Sequence, residues 1–424
     1  MYIIQNINMK HYLISLVFGH LLFQASMAQG TMNLDNILKK IDSANAVARM
    51  YDAQIRSSDA AAKGSYVWES PQVGGGFWMV PYDPKYIYTK NGETGMGQFM
   101  LSVQQMFPNK VKQNARYNYL KAVSSVDMEK KKVALNELYG AAKKSFYQWL
   151  VSKKKLSIIS ESENVLKFML KSAEISYKNN VGNLNAYYKA EAALGNLKNL
   201  RLIIEKDIAQ SQISLNTLMN RYRLEPFDID TSYILKIPVL SSHDIDHQIA
   251  ERSDIRALDK ETELTQFQEG VERASLLPEL SVRFDHMFGL AGLPMQYNLQ
   301  AMVTVPLARS SRAAKANVES LQFKSEAIVE QKKEVINELS GMVSNTQSDI
   351  EFKKKQMALF QQNIIPSLRK NFQVIQLGYQ QNTGQLFELY DAWESLNKAQ
   401  LDYTDLIKES LVLQVELEKL LQIK

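Results

Sequence analysis

The chain has 424 residues, with 50 Lys and Arg, 45 Asp and Glu, a formal net charge of +5 and no cysteine. So small a charge bias gives no argument for a nucleic-acid partner. The lack of thiols excludes a disulfide scaffold, cysteine-ligated zinc, iron–sulfur clusters and a thiol nucleophile.

From the N-terminus, Lys10 precedes the apolar stretch Leu13 to Phe23, and Gln24-Ala25-Ser26-Met27-Ala28 follows. This pattern predicts a secretory signal peptide over residues 1–28, with Ser26 and Ala28 at the −3 and −1 positions and cleavage before Gln29. Translation from Met1 and from Met9 both fit. The apolar stretch is shorter than the roughly 20 residues of a membrane-spanning helix. No cysteine follows the small residues, so a lipid anchor at that place is excluded.

Asn33 to Ala62 has helical spacing, with Asn33 and Asp35 as cap residues. Ser65 to Pro108 differs, holding the run Gly74-Gly75-Gly76 and dense aromatics. Val111 to Arg223 contains no proline. Within it Leu135, Leu138, Ala142, Trp149, Leu156 and Ile159 form an a/d seam, which predicts a long helix packed lengthwise on neighbours. Seventy helical residues would extend about 100 Å, too long a rod for an ordinary globule.

After a connector, Asp244 to Ala274 reads as helix, Leu277 to Pro306 as strand and loop, and Leu307 to Lys424 as helix with one proline, Pro366. Tyr177, Asn180, Gly182, Leu184, Ala190 and Leu194 each recur 202 positions later as Tyr379, Asn382, Gly384, Leu386, Ala392 and Leu396. Self-similarity at one offset predicts an internal duplication. The expected organisation is a signal peptide (1–28), a first helix–hairpin–helix repeat (29–223), a connector (224–243) and a second repeat (244–424).

Four stretches alternate with the period of a strand. Phe99, Leu101, Val103 and Phe107 share one face and Gln98, Ser102 and Gln104 the other. Leu280, Val282, Phe284 and Phe288 oppose Ser281, Arg283 and Asp285. Tyr297, Leu299, Ala301, Val303 and Val305 oppose Asn298, Gln300 and Thr304. Val73, Phe77 and Met79 begin the set through the triple glycine. Each stretch is near the length of a transmembrane β-strand, about 9–11 residues. Four strands cannot close a barrel, and lipid leaves an open edge unsatisfied. Several chains must therefore share one barrel if these strands meet lipid.

This arrangement resembles the outer-membrane efflux protein family, the TolC-like ducts, over nearly the whole mature chain. Arg252-Ser253-Asp254-Ile255-Arg256-Ala257 is similar to the family's helix start, with serine where proline is usual. Leu277-Pro278-Glu279-Leu280-Ser281 is similar to its entry into the second hairpin, and Pro306 to the exit. Pro366 followed by Tyr379 to Ala392 is similar to its proline helix and tip, with Asn382 at the usual glycine and Gly384 two residues on. The resemblance implies a mostly α fold with a small β part. Long coiled helices would form a periplasmic α-barrel, and four strands per chain would enter a trimeric twelve-stranded barrel in the outer membrane. It implies a homotrimer whose partners are outer-membrane lipid, a periplasmic adaptor (membrane fusion) protein and an inner-membrane transporter. It also implies that Asn180, Gly182, Asn382 and Gly384 form the helical tip turns. Glu388 and Asp391 of each chain would then ring a narrow periplasmic entrance.

No residue set assembles an enzyme, and no metal or cofactor site is expected. His243 and His247 at helical spacing read as a polar helix start, and no phosphate loop is present. Methionines cluster about the hairpins, and Gln105-Met106-Phe107-Pro108 is similar to family members of metal-cation efflux systems. Thioethers suit soft cations and also fill cores, so the cargo stays open between metal cation and organic compound. The expected function is a passive exit duct coupled to an inner-membrane pump. The rival reading is a periplasmic coiled-coil adaptor or scaffold without a pore.

Overall fold

The computed structural model describes residues 31–88, 95–179, 184–232, 242–381 and 383–424. The expected signal peptide and the tip residues Asn180, Gly182 and Asn382 lie outside them.

Chain order runs β1 (Thr31–Met32), α1 (Leu34–Ala44), α2 (Ala46–Lys63), β2 (Gln72–Trp78), β3 (Gln98–Phe107), α3 (Lys110–Lys178) and α4 (Leu184–Leu218). It continues with β4 (Asp228–Ile229), α5 (Ser242–Ala250), α6 (Ser253–Ser275), β5 (Glu279–Gly289), β6 (Gln296–Thr304) and α7 (Arg312–Leu359). A π-helical turn (Phe360–Ile364) leads into α8 (Ile365–Gln380), and α9 (Leu386–Leu420) closes the series. No helix among the described residues is long and apolar enough to cross a membrane. The elements are thus mostly α with four longer strands, as expected.

Three helices depart from their expected form. Asn33 to Ala62 is two helices. Asn33 caps α1, its Oδ1 accepting from the Asn36 N–H at 2.9 Å. Asn45 then breaks the run: its Oδ1 accepts from the Val47 N–H at 2.8 Å, and its Nδ2 donates to the Leu218 carbonyl at 2.8 Å. A side chain that satisfies both a new helix start and a neighbour's end outweighs continuation of the helix. The second helical region also breaks, and α6 begins at Ser253 within the motif that marks a helix start. In the last helix Pro366 supplies no N–H, and the backbone before it widens so that the Ile365 N–H reaches the Phe360 carbonyl.

The α4 and α9 helices each have 35 residues, and both their ends are separated by the offset of 202 seen in the sequence repeat.

The chain forms two compact units. One comprises the described parts of residues 1–49, 134–249 and 338–424. Its first apolar cluster joins Ile37 and Ile41 of α1, Ala142, Phe146 and Trp149 of α3, Leu215 of α4 and Leu411 and Val415 of α9. Its second joins Ile159, Leu166 and Met169 of α3, Ala190 and Leu197 of α4 and Leu389, Tyr390 and Trp393 of α9. Seam residues Ala142, Trp149 and Ile159 are buried in these clusters, as a heptad-like pattern requires. A buried ammonium, Lys143, is held by Glu418 at 2.6 Å and by the Ile423 carbonyl at 3.1 Å, which fastens the C-terminus to α3. Burial of such a charge is tolerated only with partners of this kind.

The other unit comprises residues 50–133 and 250–337. Ion pairs link its helices, Lys131–Asp52 at 2.6 Å, Lys130–Glu261 at 2.7 Å, Arg256–Glu129 at 3.1 Å and Lys332–Asp259 at 2.6 Å, alongside buried Val126, Ile255 and Ile328. Burial raises the Glu129 carboxyl's pKa, but hydrogen bonds from Lys132 and Arg256 outweigh it and bring the pKa below the ordinary value. This unit also holds the main sheet, an antiparallel array in the order β2-β3-β5-β6.

Candidate functional site

The sheet is built inside out. Its register places Val73, Val103, Phe284 and Leu299 in one cross-strand row, and Phe77, Phe99 and Phe288 in another. These apolar side chains stand exposed: Phe77 by 73%, Leu299 by 65%, Phe284 by 43%. The opposite face carries Gln72, Gln104, Arg283 and Gln300 in one row and Ser102, Asp285 and Asn298 in the next. There the inner strands cover polar groups, with Ser281 4% exposed and Asp285 3%, while Gln72 and Gln300 on the outer strands are exposed. Asp285 accepts from Arg283 at 2.8 Å, and Gln98 Nε2 donates to Gln296 Oε1 at 3.0 Å. A sheet folded for water would do the reverse, burying Phe284 and wetting Asp285.

Aromatic rings bound the apolar face at two levels. Near the hairpin loops the Phe77, Phe99 and Phe288 rings lie 5.6 and 6.3 Å apart. Near the helices Trp68 meets Phe107 edge-on at 5.3 Å. Phe99 and Phe107 are separated by about 27 Å along the strand, or about 20 Å of depth at the usual tilt, comparable with a lipid-facing band between aromatic girdles. Gln105 lies on the apolar face, with its Nε2 donating to the Glu69 and Met106 carbonyls at 2.9 and 2.8 Å. Among the described residues β2 and β6 each pair on one side only.

The turn between α8 and α9 belongs to the first unit, beside its second apolar cluster. Helix α8 ends in a turn where the Gly378 carbonyl accepts from the Thr383 and Gly384 N–H groups at 2.9 and 3.1 Å. A Cβ on Gly384 would stand 3.1 Å from the Tyr379 nitrogen, so close approach of backbone, not a left-handed conformation, favours glycine here. Glu388 follows in the first turn of α9, exposed, where the helix N-terminus favours a carboxylate.

Asp391, half-buried one turn on, accepts from Lys189 of α4 at 2.7 Å. The Lys189 ammonium also lies 4.0 Å from the Phe387 ring centre and 4.3 Å from that of Tyr390. Tyr390 donates to Glu394 at 3.3 Å; burial first, then the nearby Glu394 charge, pushes its pKa up to about 12. From the sequence alone, the other reading of the two acids is a solvated helix face paired with lysines, with no particular lysine assigned. The signal was nonetheless present, because Lys189 is the residue 202 positions before Asp391. Two positions one sequence offset apart meet here, one basic and one acidic.

No family model matches the chain, and no curated protein matches it. Solved structures do. It superposes on the crystal structure of CusC with a TM-score of 0.72 at 16% identity, over 92% of this chain and 91% of that one. The outer membrane protein VceC from Vibrio cholerae gives 0.70 at 14% identity, over 92% and 95%. The open state of the Neisseria gonorrhoeae MtrE outer membrane channel gives 0.71 at 15%, over 92% and 88%. The chain has the fold of these outer-membrane channels. The channel fold thus agrees, over most of the chain, with the resemblance that the helix-start, hairpin and proline-helix motifs carry. It also accounts for four strands flanked by helices of up to 69 residues.

Proposed function

We propose that this chain is the outer-membrane exit duct of a tripartite efflux system. It is non-catalytic, and its helices project into the periplasm. Three copies close a twelve-stranded barrel, each contributing β2, β3, β5 and β6. A periplasmic adaptor couples the duct to an inner-membrane transporter, which supplies the energy. The observation that carries this reading is the inverted sheet. Lipid is the solvent that makes exposed Phe77, Phe284 and Leu299 favourable, and a shared barrel satisfies the free edges of β2 and β6. A pore-less periplasmic scaffold has no use for such a face, so the duct is favoured.

Glu388 and Asp391 are assigned to the periplasmic entrance, and Asn180, Gly182, Asn382 and Gly384 to the tip turns. Lys189 compensates Asp391 within each chain, and among the described residues Glu388 has no such ion pair. Carboxylates converging in a narrow aperture focus a negative potential and favour cations. The test is fractionation followed by planar-bilayer recording. The duct stays with the outer membrane after a high-salt wash and conducts ions. Protein that washes off and gives no conductance would be the scaffold instead.

A further inference from the structure

Among the aromatic side chains of the described strands, one departs from the rest. Those at Phe77, Phe99, Phe107, Phe284, Phe288 and Tyr297 share the apolar face, whereas Trp78, the last residue of β2, falls by register on the polar face opposite Gln98. It is 48% exposed there. Below it on the same strand the polar face is bare, because positions 74 and 76 are glycine, and a Cβ on Gly76 would meet nothing within 4 Å. Met79 follows with φ of 50°, ending the strand just beyond the indole. One row below Trp78, Met100 and Met287 stand directly opposite each other. The ionised pair of this face, Arg283 and Asp285, lies farther toward the helices and is satisfied internally. Among the described strand residues, the loop end of the polar face therefore offers an indole, two thioethers and the neutral amides of Gln98 and Gln296.

We propose that Trp78 is the specificity-determining residue of the exit mouth, a cation–π contact for bulky organic cations leaving the duct. The proposal rests on the duct reading, which turns the polar face into a pore lining and brings one Trp78 from each copy to the same level. Indole has the strongest ring quadrupole among side chains, and a cation held against it gains most where water is partly excluded. The polarisable sulfurs of Met100 and Met287 add a soft, uncharged flank. A neutral lining of this kind binds weakly enough to release what it contacts, as conduction requires.

The experiment is block of single-channel current by tetrabutylammonium added on the side of the hairpin loops. Trp78→Leu should raise the half-blocking concentration by about fivefold, the loss of one cation–π contact at a partly exposed site. Trp78→Phe should raise it less, and Val303→Ala on the opposite face should leave it unchanged. If Trp78→Leu is blocked at the parental concentration, the assignment of Trp78 is wrong. Should Trp78→Leu fail to assemble, the Trp78→Phe channel decides: weaker block supports the contact and unchanged block overturns it. A parent that does not conduct would overturn the duct reading itself, and Trp78's role with it.

Discussion

At the residue scale the turn between α8 and α9, with the start of α9, is the most informative place. Glu388 is exposed, and Asp391 shares its charge with Lys189 at 2.7 Å. The two acids therefore make unequal contributions to any entrance potential. Glu388→Gln should lower cation selectivity in bilayer recordings, and adding Asp391→Asn should lower it further and relieve block by trivalent cations. Lys189→Met should do the opposite, because it uncovers Asp391 while keeping the apolar stem between Phe387 and Tyr390. Unchanged selectivity in all three would make the acids an ordinary solvated helix face. Tyr390 supplies a pH test. Its pKa is pushed up to about 12 by burial and by Glu394, from an ordinary value of 10.0. Between these values the folded chain keeps a proton that the unfolded chain has lost. The resulting stabilisation is complete below pH 10.0 and fades as pH rises toward about 12. Melting temperature should fall over that window, and Tyr390→Phe should show a smaller fall. An identical fall in the variant would remove Tyr390 from the account.

At the element scale the strands test their own register. A one-residue slip moves every side chain to the other face, so adjacent positions must respond differently to charge. Leu299→Arg puts a guanidinium on the apolar face, at a cost of about 2–4 kcal/mol near mid-bilayer, and should abolish outer-membrane assembly. Asn298→Arg faces the polar side opposite Asp285 and should assemble. The reverse result would mean that the two faces are exchanged. These strands were legible in the sequence because alternation is a local signal, which β3, β5 and β6 keep over most of their length. Helix existence was legible too, from the absence of proline and the a/d seam. Helix breaks were less so. Asn45 ends one helix through a hydrogen bond to Leu218, 173 residues away, which no local pattern encodes. The π-helical turn before Pro366 likewise reflects a lost backbone donor, whose local remedy composition does not specify. At the tip, residue types marked the acids correctly as polar, but the Lys189 partner required the repeat offset to be read as spatial proximity.

At the scale of the whole molecule, the sheet cannot be complete in one chain that meets lipid. Among the described residues it has four strands, its outermost two are each paired on one side, and its exposed face is apolar. Edge N–H and C=O groups in hydrocarbon cost several kcal/mol each when unpaired. Pairing β2 of one copy with β6 of the next removes all of them at once, and three copies reach twelve strands. Monomers should be unstable in detergent, since dissociation reopens every edge together. The most direct test is the protein mass of the detergent-solubilised particle by light scattering with the detergent contribution subtracted. Three chain masses are expected. A stable particle of one chain mass that retains its full strand content by circular dichroism would contradict the trimer.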